Sequence, residues 1–131
     1  MLGAHTWITD QAPLLDLMAK NIALNHLEKS VHVAELNWGV PLPTSFPSPD
    51  IVLAADCVYL ESAFPLLVQT LSDLSEKPVD ILFCYKKRRK ADKRFFTLLK
   101  KKFDWTEIMD HPDRETYTRE AISLMRLERR K

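Results

Sequence analysis

Glycine is the scarce residue. The 131-residue chain has two, Gly3 and Gly39, where average usage predicts about nine. Turns that need positive φ, and loops where backbone must lie close to a ligand, therefore have little to draw on. Cysteine is sparse too. Cys57 and Cys84 sit in apolar segments without metal-ligand spacing, which points to reduced, buried thiols in a cytosolic or nuclear protein. No run reaches 18 apolar residues, so no membrane-spanning helix is expected. The opening MLGAHTWITD lacks a basic region followed by an apolar stretch, so no secretory signal is visible. His5, His26, His32 and His111 are scattered without helical metal spacing, and no metal is assigned. The net charge of +1 gives no global pull toward nucleic acid or membrane.

What is present alternates between strand and helix. His5 to Thr9 reads as a strand ending at Asp10. Pro13 suits a first helical turn, and the apolar residues from Leu14 to Leu24 predict a helix over 12–25, with Asn25 as a left-handed cap. Val31–Leu36 alternates as a strand. Four prolines in GVPLPTSFPSP, 39–49, mark an irregular loop. A wholly apolar strand follows at 51–55, a helix at about 62–75, a second apolar strand at 79–85 and a helix at 90–102. The apolar face of that last helix is Ala91, Phe95, Phe96, Leu98 and Leu99. Phe103–Met109 reads as a strand, 110–118 as polar connection, and 120–127 as a closing strand. This order predicts an α/β sheet built from parallel βαβ units, with the last two strands as an antiparallel pair at one edge.

Ligands in open α/β sheets bind beyond the carboxyl ends of the strands. Asp10, Asn37 with Trp38, and Asp56 stand at such ends. An acid there can accept both hydroxyls of a ribose, and a tryptophan can lie against an adenine. Each has a plainer reading: Asp10 as a helix cap, Trp38 as packing, Asp56 as a cap on the helix that follows, and Tyr59 as a core residue.

The stretches ITDQAPLLDLMAKNIALN (8–25), ELNWG (35–39), DIVLAADCVYLESAFPLLVQTL (50–71) and ILFCYKKRRKADKRFF (81–96) together resemble the seven-stranded, S-adenosylmethionine-dependent methyltransferases of family 16, which methylate lysines on proteins. The most specific piece is Asp56-Cys57-Val58-Tyr59, which fits the family's D-x-x-Y signature. The wording is closest to the fungal branch acting on translation elongation factor 1-alpha. The resemblance implies a Rossmann-like doubly wound sheet and S-adenosyl-L-methionine as cofactor. Residues 1–131 would be the C-terminal portion of one methyltransferase domain. It implies that Asp10 holds the cofactor ribose, that Trp38 lies against adenine with Asn37 beside it where many relatives carry Asp, and that Ala55 lines the pocket. Asp56 and Tyr59 would stand at the lysine channel as the catalytic pair. It further implies a protein substrate, a monomer when full length, no membrane, nucleic acid only through the substrate, and a cytoplasmic location with the nucleus as the alternative.

The same resemblance implies an N-terminal truncation. Relatives begin with a strand and a glycine-rich loop that this sequence lacks, and that strand lies mid-sheet between the second and fourth. Its loss leaves two strand edges unpaired and apolar surface exposed, so weak or absent cofactor binding by these residues alone is expected. A non-catalytic remnant that keeps a substrate-binding edge is the alternative function. Lys86-Lys87-Arg88-Arg89-Lys90 admits three readings: a solvated loop, a nuclear-localisation or nucleic-acid patch, or a dock for an acidic face of the substrate.

Overall fold

The computed structural model describes residues 3–88, 90 and 92–131. The expectations placed on Met1, Leu2, Arg89 and Ala91 lie outside the described residues. The chain divides into two units, one running to Val40 and the other spanning Pro41–Lys131.

The first unit is a single parallel βαβ turn. Strand β1 (Thr6–Asp10) leads through a short 3₁₀ turn, Ala12–Leu14, into helix α1 (Leu15–Leu24) and strand β2 (Val31–Glu35). The helix expected over 12–25 thus opens as a tighter coil around Pro13, since proline cannot donate the amide of a regular α turn. The left-handed exit falls on His26, at φ 55. Asn25, at φ −99, is not left-handed, so the expected cap is displaced by one residue. β1 and β2 pair in register from Thr6 opposite Val31 to Asp10 opposite Glu35.

The second unit carries β3 (Ile51–Ala55), α2 (Phe64–Leu74), β4 (Asp80–Lys86), α3 (Asp92–Leu99), β5 (Phe103–Glu107), α4 (Arg114–Arg119) and β6 (Ile122–Arg129). Its sheet runs β3-β4-β6-β5. β3 and β4 are parallel, and β6 is antiparallel to both β4 and β5. The antiparallel pair stands at one end of the sheet, as expected. The polar stretch 110–118 reads as connection only, but α4 begins within it and runs on to Arg119, too short and polar to show a periodic apolar stripe.

One face of this sheet holds the core. Phe64, Leu67, Val68 and Leu71 are buried on α2 at the i, i+3, i+4, i+7 spacing of an amphipathic helix. They bury with Phe95 and Leu99 of α3 and with Ile81, Phe83, Met125 and Leu127 of the sheet. Phe95 stacks on Phe83 at 5.5 Å and meets Phe64 edge-on at 5.6 Å. The opposite side of β3 is bare: Leu53 is 76% exposed and Ile51 59%. Among the described residues β3 has one hydrogen-bonded neighbour, β4, and β1 has one, β2. An apolar strand exposed along one edge and one face is open to pairing with a further strand. Cys57 and Cys84 are free but half-buried, less enclosed than their apolar neighbours suggested. No helix among the described residues is long and apolar enough to cross a membrane.

Candidate functional site

In the first unit the candidate residues gather at the carboxyl ends of β1 and β2. Asp10 is the last residue of β1 and stands opposite Glu35. Its Oδ1 accepts from the Gln11 amide at 2.7 Å. The 3₁₀ turn that follows has no side-chain cap bond, so Asp10 caps no helix in the ordinary sense. Glu35 Oε1 accepts from Asn37 Nδ2 at 2.7 Å, fixing the amide beside Trp38. The Val40 amide donates to the Asn37 carbonyl at 3.2 Å, closing a turn over residues 37–40. Gly39 sits third in that turn at φ 80, the position where a type II turn requires glycine. One of the chain's two glycines is therefore spent on presenting Trp38, which is half-buried. An acid on one strand end with an aromatic just past its parallel neighbour suits an adenosine.

In the second unit the site is built around Asp56. Its amide donates to the Cys84 carbonyl at 3.3 Å, extending the β3–β4 ladder by one rung. Its backbone then turns left-handed, at φ 56, and the carboxylate swings out to 67% exposure. Both plain readings fail here. The turn after Asp56 has Leu60 at its N-cap with no side-chain cap bond, and Tyr59 is 57% exposed rather than core. Ala55, the expected pocket-lining residue, is exposed at the same strand end.

Arg88 completes the arrangement, and its part was not readable from the sequence. Arg88 Nη2 lies 2.8 Å from Asp56 Oδ1, with the arginine side chain 45% exposed. Its backbone is tied down by Asp92, which is 1% exposed. Asp92 Oδ2 accepts from the Arg88 amide at 3.3 Å and from the Tyr85 hydroxyl at 3.0 Å. The Lys87 amide donates to the Ala121 carbonyl at 2.9 Å. The loop is anchored while the guanidinium reaches outward. An exposed pair of this kind contributes about 0–1 kcal/mol, so it exchanges readily.

Beside the pair lies an open cleft of about 620 Å³ lined by Tyr85, Phe96, Lys87, Arg88, Lys90 and Lys93. The two aromatics are half-buried and meet edge-on at 4.9 Å. The four cations are exposed. Cys57, next to Asp56, donates its thiol to the Ala55 carbonyl at 3.3 Å. Burial first, and the Asp56 charge second, push its pKa up to about 11. It is thus a protonated thiol at neutral pH, unsuited to nucleophilic chemistry. Among the described residues no three His, Cys, Asp or Glu side chains come together as a metal site.

Each unit has a parallel strand pair with ligand-type residues at its carboxyl ends, and the second is finished by an antiparallel pair, a mixed α/β arrangement like that of Rossmann-like methyltransferases. The S-adenosylmethionine-dependent methyltransferase SibL shares this fold, with a TM-score of 0.64 at 13% identity over 95% of this chain and 43% of SibL. More specifically, the chain belongs to the lysine methyltransferase family, whose model matches residues 1–102. It is 46% identical to protein-lysine N-methyltransferase EFM6 of Saccharomyces cerevisiae, over 98% of this chain and 56% of the relative. It is 36% identical to protein N-lysine methyltransferase METTL21A of Danio rerio, over 93% of this chain and 58% of that protein. The chain thus spans a little over half the length of these curated relatives.

Proposed function

We propose that this polypeptide serves S-adenosylmethionine-dependent methylation of a protein lysine, with translation elongation factor 1-alpha as the substrate. The observation that carries the reading is Asp56. Its carboxylate is held out of a strand end by left-handed backbone and already holds a cation that exchanges readily. A substrate lysine is about 3 units below its reference pKa of about 10.4 at neutral pH, so it arrives as an ammonium. Asp56 can hold that ammonium and, after a proton leaves to solvent, orient the amine lone pair. Tyr59, exposed three residues on, can wall the approach and exchange one hydrogen bond. Positioning of this kind supplies much of the rate of a transfer reaction.

The cofactor, when bound, supplies an electrophilic methyl group on sulfonium sulfur. Asp10 would take its ribose hydroxyls and Trp38 its adenine, with Asn37 beside the ring. The methionine end is less well served. Gly3 has no heavy atom near the place a Cβ would take, and Gly39 is occupied in the Trp38 turn. No glycine cradle exists among the described residues. A second reading is a remnant that keeps a substrate-binding edge without transferring methyl groups. The free, half-buried thiols suit the cytoplasm or the nucleus in either case.

Two measurements separate the readings. Calorimetric titration of the purified chain with S-adenosylmethionine comes first, followed by transfer of labelled methyl groups to elongation factor 1-alpha. Transfer that falls at least about 100-fold in Asp56→Ala, with unchanged circular dichroism, supports the enzyme and the role of Asp56. Transfer that survives Asp56→Ala removes that role. Absence of both cofactor binding and transfer removes the enzyme reading for these 131 residues on their own and moves the test to a longer chain.

A further inference from the structure

The basic loop after β4 is not a uniform charged surface. Lys86 has Glu120 as an ion-pair partner at 3.8 Å, and Arg94 has Glu61. Between them, Lys87, Lys90 and Lys93 line one cleft, and among the described residues none of the three is in an ion pair. Arg88 lines the same cleft and also holds Asp56. One guanidinium therefore serves two places: the carboxylate at the end of β3, and a cavity with cations to spare.

We propose that Arg88 is a displaceable counter-ion for Asp56, and that the cleft receives an acidic side chain close to the target lysine of a protein substrate. This rests on the reading of Asp56 as the group that meets the lysine. As the substrate docks, its carboxylate takes Arg88 and its ammonium takes Asp56, so one exposed ion pair is exchanged for two. Asp92 makes this possible without unfolding the loop, because it holds the Arg88 amide and leaves the side chain to swing. Tyr85 and Phe96 offer apolar edges to the methylene stem of a glutamate. RNA fits less well. The Tyr85 hydroxyl is engaged with Asp92, and Phe96 packs against Tyr85, Phe95 and Trp105 at 4.9–5.6 Å. Both rings are already engaged with neighbours, which leaves less of them to a stacking base.

The test reads binding alone, on the 131-residue chain and without cofactor, so a lack of methyl transfer does not touch it. The probes are a fluorescent nine-residue peptide with a central lysine among glutamates, and its twin with every glutamate replaced by glutamine. Wild type should bind the glutamate peptide at least about fivefold tighter at low salt, narrowing as salt screens the exposed charges. Lys93→Gln should weaken only the glutamate peptide, and Lys101→Gln, outside the cleft, neither. The distinguishing variant is Arg88→Gln. It should lose most of the preference for glutamate and bind the glutamine twin severalfold tighter than wild type does, since Asp56 no longer has a competitor. Equal wild-type affinity for the two peptides overturns the proposal. So does an Arg88→Gln variant that weakens both alike. A single-stranded RNA that displaces the glutamate peptide at lower concentration overturns the acidic-peptide assignment.

Discussion

Replacing Leu53 by threonine tests whether the bare face of β3 stays bare in solution. Leu53 is 76% exposed, so roughly a quarter of its surface is shielded. Full burial of a leucine contributes about 1.5–3 kcal/mol, so Leu53→Thr should cost only about 0.4–0.7 kcal/mol. Threonine keeps β propensity, which leaves the strand itself unpenalised. Ile81 supplies the contrast. It is 1% exposed on the covered face of the neighbouring strand, and Ile81→Val should cost about 0.5–1.5 kcal/mol although it removes only one methylene. Both are read by urea denaturation followed by circular dichroism. With a slope of about 1–3 kcal/mol per molar, Leu53→Thr shifts the midpoint by only a few tenths molar. Light scattering should fall in the same variant, because an apolar edge strand invites pairing between copies. A loss of about 2 kcal/mol or more in Leu53→Thr would mean that something covers β3 in solution, and the account of an open sheet edge would be wrong.

Gly39→Ala places a Cβ on a residue at φ 80 and should cost about 1–2 kcal/mol, with Gly39→Asn milder; denaturation of both variants checks it, and an unstrained alanine refutes the turn assignment. In a Cys84→Ser background, native Cys57 should reach half-maximal alkylation near pH 11, against about 9 in urea. Because folding raises this pKa, the stability linked to Cys57 is full below about pH 9 and is lost as pH climbs through about 11; a thiolate at pH 8 in the folded chain contradicts this.

The elements easiest to read from the sequence were those made of consecutive apolar residues. Ile51–Ala55 was found to the residue because a run of apolar side chains admits one reading between Asp50 and Asp56. α4 was invisible because its six residues carry no apolar stripe and its start is marked only by Asp113, which makes no side-chain cap bond. At the site, Asp10, Trp38 and Asp56 were legible as residues at or just past strand ends. The Arg88–Asp56 pair was not. It joins residues far apart in the chain through the parallel register of β3 and β4, which sets Ala55 beside Cys84. Nor does a run of five cations say that Arg88 reaches the strand end, where the buried carboxylate of Asp92 holds its amide. The hold of Glu35 on Asn37 depends on a two-residue reach that the strand pattern hides.

The left-handed backbone at Asp56 sets a trade between durability and use. Glycine would relax that residue at no steric cost, so a population selected in the laboratory only for resistance to heat should drift to glycine there. Aspartate tolerates the conformation better than most residues with a Cβ, yet it still gives up some stability to keep its charge in place. Passaging a library randomised at position 56 with and without a demand for methyl transfer would show which pressure holds the carboxylate.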